Sequence, residues 1–171
     1  KNMSTEKLKK RLLNRESGYV FYGLTPPKST TEKEKIKGIA QRQMERLKHM
    51  DVDALVLYDI QDESSRTEIP RPFPFMSTLA PDTYAKEYLS ALDVPKIIYK
   101  SVGKYTEEGL SNWLKASQDE IGLTVFVGAP SKGQQTSLSL ADAYKVKKAA
   151  NSSMLLGGVT IPERHFKKGD E

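Results

Sequence analysis

Cysteine is absent from this chain of 171 residues. Its absence excludes disulfides, thiolate zinc sites, iron–sulfur clusters and a cysteine nucleophile. Long apolar stretches are lacking too. No run approaches the roughly 20 residues that span a bilayer, and the N-terminal stretch Lys1–Lys10 has no apolar core of a signal peptide. A cytoplasmic protein with no membrane partner is expected. Glycine-rich phosphate motifs are missing as well: neither Gly128 nor Gly157-Gly158 belongs to a G-x-G-x-x-G directly after a strand, and there is no P-loop. The basic excess is spread thin. The net charge is +5, but most of the 27 Lys and Arg residues alternate with acids, as in Thr31–Lys35. The denser groups, Lys7 to Arg15 and Lys145, Lys147 and Lys148, lack the interleaved aromatics of a base-stacking platform, so no nucleic-acid partner is expected.

What the chain does contain is a regular alternation of short apolar runs and amphipathic segments. A length of 171 residues with 37% hydrophobic content suits one domain with a real core. Residues 1–16 are expected to hold a helix over Ser4–Arg15 with a narrow stripe of Leu8, Leu12 and Leu13, plugging or capping one end of the sheet. Residues 17–171 then carry five strands. Strand one runs from Tyr19 to Leu24 and stops at Pro26-Pro27, which lack N–H donors. Thr31 and Glu34 read as a capping box for a helix bearing Ile36, Ile39, Ala40, Met44 and Leu47. Strand two is Ala54–Tyr58, apolar throughout, as a sheet buried on both faces requires.

A connection from Asp59 to Pro81 follows. Four prolines deny it regular structure, while Phe73, Phe75, Met76 and Leu79 predict that it packs as a lid or wall. Asp82 reads as the cap of the next helix. Strand three is Lys96–Tyr99, Thr106 caps a helix with Leu110, Trp113 and Leu114, and strand four is Leu123–Val127. Ser137 or Ser139 caps a helix with Leu140, Ala143 and Tyr144, and strand five is Met154–Thr160. Such βαβ units make a parallel sheet with right-handed crossovers, either doubly wound or part of a (β/α)₈ barrel.

In either architecture ligands bind beyond the carboxyl ends of the strands. The segments collected there are Thr25–Lys28, Tyr58–Glu63, Tyr99–Ser101, Gly128–Lys132 and Thr160–His165. His165 is a candidate ligand contact, and Lys28 and Lys132 are candidate phosphate contacts. Gly128, Ser131, Lys132 and Gly133 are a candidate anion nest. Asp59, Asp62 and Glu63 form an acidic group that reads as solvated or paired with Arg66 rather than as a metal centre, and no metal is expected. His49, ending a helix, reads as a partner of the helix dipole.

Taken in order, three of these ends resemble methylenetetrahydrofolate reductase, a flavin-dependent (β/α)₈ barrel of one-carbon metabolism. Pro26-Pro27-Lys28 is similar to that family's Pro-Pro-Lys after strand one. Tyr58–Thr67 is similar to its Tyr-Gly-Ala and Ser/Thr-Arg run after strand two. Gly157–His165 is similar to its Gly-Val-Ala-Gly-Tyr-Pro-Glu-x-His after strand five. The resemblance covers about Gly18 to Phe166. It implies a TIM-type parallel barrel of which this chain holds about the first five βα units. It also implies an oxidoreductase passing a hydride from NAD(P)H through FAD to a folate. On matching positions Tyr58, Gly128 and His165 line the flavin, with Glu163 near its ribityl-phosphate side.

The departures bear on chemistry. Gly23 stands where the family has a glutamate, Val127-Gly128-Ala129 replaces its Arg-Gly-Asp, and Ile161 replaces a tyrosine. A glycine cannot move a proton and an alanine cannot tune a flavin by charge. No catalytic residue is therefore assigned, and two alternatives stand beside the reductase: a non-redox folate- or ligand-binding relative of the barrel, or a lyase or transferase using Lys100, Glu163 and His165. An open parallel sheet also predicts a longer chain or an oligomer.

Overall fold

The computed structural model describes residues 3–60, 76–128 and 138–159. Five strands, β1 (Phe21–Leu24), β2 (Ala54–Leu57), β3 (Lys96–Ser101), β4 (Leu123–Val127) and β5 (Leu155–Gly157), form one parallel sheet in the order β1-β2-β3-β4-β5. The register runs Gly23 to Val56, Val56 to Ile97, Ile97 to Leu123 and Leu123 to Leu155. This order has no reversal, so the switch point of a doubly wound sheet is missing among the described strands. The fold is α/β with a parallel sheet, as the alternation of the sequence requires.

Alternation along each strand separates two apolar layers. Leu24, Leu57, Ile98 and Phe126 point to one face and pack with Ile36 and Ala40 of α2 (Lys33–Leu47), Leu110 and Leu114 of α4 (Glu107–Ser117), and Ala143 and Val146 of α5 (Leu140–Ala150). Tyr84, Ala85 and Leu89 join them from α3 (Pro81–Thr83) and the π-helical turn Tyr84–Tyr88 that prolongs it. On the other face Ala54, Val56, Ile97, Leu123 and Val125 pack with Leu8 and Leu12 of α1 (Met3–Leu13).

Helix α1 lies across the amino-terminal ends of the strands, and beside its leucine packing it is fixed by contacts to residues just before several strands. Arg11 Nη1 pairs with Asp53 at 2.9 Å ahead of β2, and Ser4 Oγ donates to Asp93 at 3.2 Å ahead of β3. Lys9 Nζ donates to the Ser153 carbonyl at 2.9 Å ahead of β5. Before β4, Gly122 has φ +73° and a Cβ there would lie 2.8 Å from Thr5 Cγ2. The bottom-capping role expected of this helix holds, although it ends at Leu13 rather than Arg15, because Arg15 turns left-handed at φ 55°.

Two caps differ from the sequence reading. The N-cap of α2 is Glu32 with no side-chain bond. Thr31 instead closes a turn through its N–H to the Lys28 carbonyl, and Glu34 pairs with Lys37 at 2.7 Å. Asp82 lies inside the first turn of α3, whose N-cap is Ala80, because its carboxylate is drawn to Trp113 and Lys100. Thr106 and Ser139 do cap α4 and α5, accepting from Gly109 N and Asp142 N at 3.1 Å each, while Ser137 lies outside the described residues. Strand β1 begins at Phe21 rather than Tyr19, β3 runs on through Ser101, and β5 covers only Leu155–Gly157.

Gly122→Ala is expected to cost about 1–3 kcal/mol, since it combines left-handed backbone strain with a clash against α1. Gly158→Ala, with nothing within 4 Å of the added carbon, serves as the control in urea unfolding. Equal midpoints for the two variants would refute the account of α1 docking.

Candidate functional site

With the amino-terminal end of the sheet capped by α1, the carboxyl rim is where functional groups collect. Tyr58 directly follows β2 and Tyr99 lies near the end of β3. By strand parity both fall on the face opposite the helix layer, and their rings meet edge to face with centroids 5.1 Å apart. Tyr58 is held in line by its N–H bond to the Leu24 carbonyl at 3.1 Å. Its ring lies over Gly23: a Cβ at that position would sit 2.7 Å from the phenol oxygen and 2.8 Å from Cε2. The glycine therefore makes room for the tyrosine. A glutamate at position 23 would require Tyr58 to leave.

Below the two tyrosines the same face forms a groove of about 440 Å³ lined by Phe21, Val56, Ile97, Tyr99, Val125 and Gly157, with Leu12 and Leu13 of α1 at one end. Its walls are mostly apolar, with room for a flat ring system.

The return of the long connection after β2 is pinned onto the end of β1. Ser29 N donates to the Ser77 carbonyl at 3.0 Å, Leu79 N to the Pro27 carbonyl at 2.8 Å, and Lys28 and Thr78 form an antiparallel bridge. Thr78 N also reaches the Ile60 carbonyl at 3.2 Å. The described part of this segment thus packs as a wall at the rim. Phe73 and Phe75 lie outside the described residues.

On the helix side of the same rim stands a buried charged group that the sequence reading did not assemble. Lys100 is 2% exposed. Its ammonium lies 4.2 Å from the Trp113 ring centroid, 4.7 Å from that of Tyr105, and 3.5 Å from Asp82 Oδ1. Asp82 also accepts from Trp113 Nε1 at 2.8 Å. Asp59 accepts from Ser101 N at 3.2 Å and pairs with Lys104 Nζ at 3.5 Å. Burial pulls the Lys100 ammonium below its ordinary range, against the opposing pull of Asp82 and Asp59. Burial pushes the Asp82 carboxyl up, but the Lys100 charge, the Trp113 N–H and the backbone N–H groups at the helix start outweigh it and leave it lowered. Burial raises Tyr105 to about 12. The sequence signal was available in the alternation of β3, which places Lys100 opposite Tyr99 and beside Ile98.

The residues expected from sequence fall unevenly on this rim. Tyr58 is at the mouth. Gly128 follows β4, and a Cβ there would meet Leu140 Cβ of α5 at 3.8 Å, on the side of the helix layer. The contact is an ordinary one. Glu163, His165, Ile161, Ser131, Lys132 and Gly133 lie outside the described residues, as do Asp62, Glu63 and Arg66. Among the described residues no cluster of His, Asp and Glu is arranged to hold a metal, and no helix is long and apolar enough to cross a membrane. His49 is exposed beyond the end of α2, 3.6 Å from Glu45.

No family model matches the chain, and no curated protein matches it. Among solved structures it is similar to an uncharacterized protein from Clostridium thermocellum that binds two copies of 5-methyl-5,6,7,8-tetrahydrofolic acid. The two are 42% identical with a TM-score of 0.79, over 95% of this chain and 50% of the other. The chain therefore spans half the length of the folate-binding protein it matches.

Ionised Asp82 stabilises the fold relative to an unfolded chain whose carboxyl titrates near 3.8. Because the folded value is lowered, this contribution is fully present above pH 3.8 and disappears as pH falls through the folded value. Asp82→Asn is expected to flatten the fall in melting temperature below pH 4, measured by circular dichroism against wild type. Parallel pH profiles for the two proteins would contradict the assignment.

Proposed function

We propose that this chain forms the folate-binding half of a (β/α) barrel and takes up a reduced folate at its carboxyl-terminal mouth without flavin redox chemistry. The observation that carries this reading is the 42% identity over 95% of the chain to a protein that binds 5-methyltetrahydrofolate. The chemistry of the mouth suits such a ligand. A pterin is a flat heteroaromatic plate, and Tyr58 and Tyr99 offer ring faces and edges against which it can stack. The apolar groove beneath them faces the barrel interior, where the side chains of further strands would pack and form the floor of the mouth. Lys104, half exposed at the rim, and exposed Lys28 offer positive charge to a carboxylate tail.

The non-redox part of the proposal is supported by position 23. A side chain able to deliver a proton from there is excluded by the ring of Tyr58 as placed. Bound FAD would supply hydride transfer in the reductase reading, with Tyr58, Gly128, Glu163 and His165 as its contacts and NAD(P)H as donor. That reading is supported by the ordered sequence resemblance alone.

The barrel part of the proposal is supported by the sheet's two edges. Phe21 and Tyr22 of β1 and Val20 just before it are exposed, as is Val159 just beyond β5. Parallel strands with bare apolar edges call for further βα units, from a longer chain or an associated one.

Titration calorimetry with 5-methyltetrahydrofolate tests the function. Wild type is expected to bind, and Tyr58→Ala to bind about tenfold more weakly through loss of ring contact worth ~1.4 kcal/mol. Gly23→Ala, which displaces the ring without removing it, is expected to weaken binding in the same direction by less. Uptake of added FAD with no folate binding would reverse the proposal in favour of the reductase.

A further inference from the structure

A fully buried lysine needs a reason. An apolar side chain at position 100 would fill the space between sheet and helices with no desolvation cost, and buried ion pairs are often no more stabilising than well-packed apolar replacements. The partners of Lys100 suggest what the charge does. They come from four segments that surround the mouth: Asp82 at the end of the long rim connection, Tyr105 after the 3₁₀ turn Val102–Lys104, Trp113 on α4, and Asp59 one residue beyond Tyr58. No other described ammonium is enclosed in this way.

Lys100 also lies between two residues that face the other way. Tyr99 carries the edge of the aromatic pair, and Ser101 gives its N–H to Asp59, which ties the end of β2 to the end of β3. Asp82 follows Met76–Ala80 after Pro81 alone, and that stretch is bonded to Pro27 and Ser29. The ammonium thus stands across β3 from the aromatic wall, where the rim connection meets α3 and α4.

We infer that Lys100 is a positioning residue: its ammonium, clamped by Asp82, Trp113 and Tyr105, latches the rim connection to β3 and sets the Tyr58–Tyr99 wall against which ligand binds. The ligand part of this inference rests on the folate reading, whereas the latch itself does not. Lysine acts here through its partners and touches no ligand. Its four-carbon stem reaches from β3 into the helix layer, and the two ring faces stabilise the charge without competing for the hydrogen bond between Trp113 and Asp82.

The test uses the double variant Asp82→Asn with Lys100→Met, which removes both charges together so that neither is left buried alone, and the single variant Asp82→Asn, which is isosteric. Three readouts separate a latch from a merely structural pair. In hydrogen exchange, the amides of Thr78, Leu79 and Ser101 are expected to open about tenfold faster in the double variant and to a lesser degree in the single one, while amides of α2 and β4 stay unchanged. Emission of Trp113, the sole tryptophan, is expected to shift in both. Affinity for 5-methyltetrahydrofolate is expected to fall about tenfold in the double variant with the melting temperature little changed. Unchanged exchange at those three amides in either folded variant would overturn the inference. A wild-type protein that ignores 5-methyltetrahydrofolate would instead overturn the folate reading, and the exchange measurement would still decide the latch.

Discussion

Side-chain alternation along β3 divides this protein into two chemistries. Ile97, Tyr99 and Ser101 fall toward the groove, while Ile98 and Lys100 fall toward the helices. Because all five strands are parallel, each delivers its carboxyl end to the same rim. Ring surfaces and apolar groove therefore gather on one side of that rim and the buried charges on the other. A slip of one residue in the register of β3 would exchange the two sides, placing an ammonium in the groove and a tyrosine among the helices. The register is held by pairing on both flanks, from Val56 to Ile97 and from Ile97 to Leu123.

The opposite end of the sheet is the stable counterpart of this rim. Helix α1 is tied to the residues preceding β2, β3 and β5 by side-chain hydrogen bonds and ion pairs, and to Gly122 before β4 by close packing. These contacts close the amino-terminal end and leave the carboxyl end to carry function, a division common to parallel α/β sheets. The aromatic pair, the groove and the pinned rim connection follow from which residues the strands place there.

Much of this was readable from the chain. The strands announced themselves as short apolar runs bounded by prolines, glycines and polar turns, and α1 as a stripe of leucines separate from the rest. The resemblance of the rim segments to a folate-using family pointed to the same ligand class as the one bound by the Clostridium thermocellum protein. Local caps were harder. Thr31 and Glu34 have the spacing of a capping box, yet the turn closed on Lys28 removes Thr31 from the helix. Asp82 reads as a cap because nothing in sequence places Lys100 and Trp113 beside it. The direction of Gly128 was accessible in principle: Val125 lines the groove, so parity puts residue 128 on the helix side. Gly23 illustrates the reverse case, a glycine whose meaning appears only when the ring of Tyr58 is found above it.

The central claim is that a reduced folate is received on the Tyr58–Tyr99 side of the carboxyl rim. A crystal structure of the chain soaked with 5-methyltetrahydrofolate tests it most directly. Pterin density against the rings of Tyr58 and Tyr99, with the tail running toward the rim lysines, is the expected result. Density on the helix side near Gly128 and Leu140, or none at the mouth, would contradict the account.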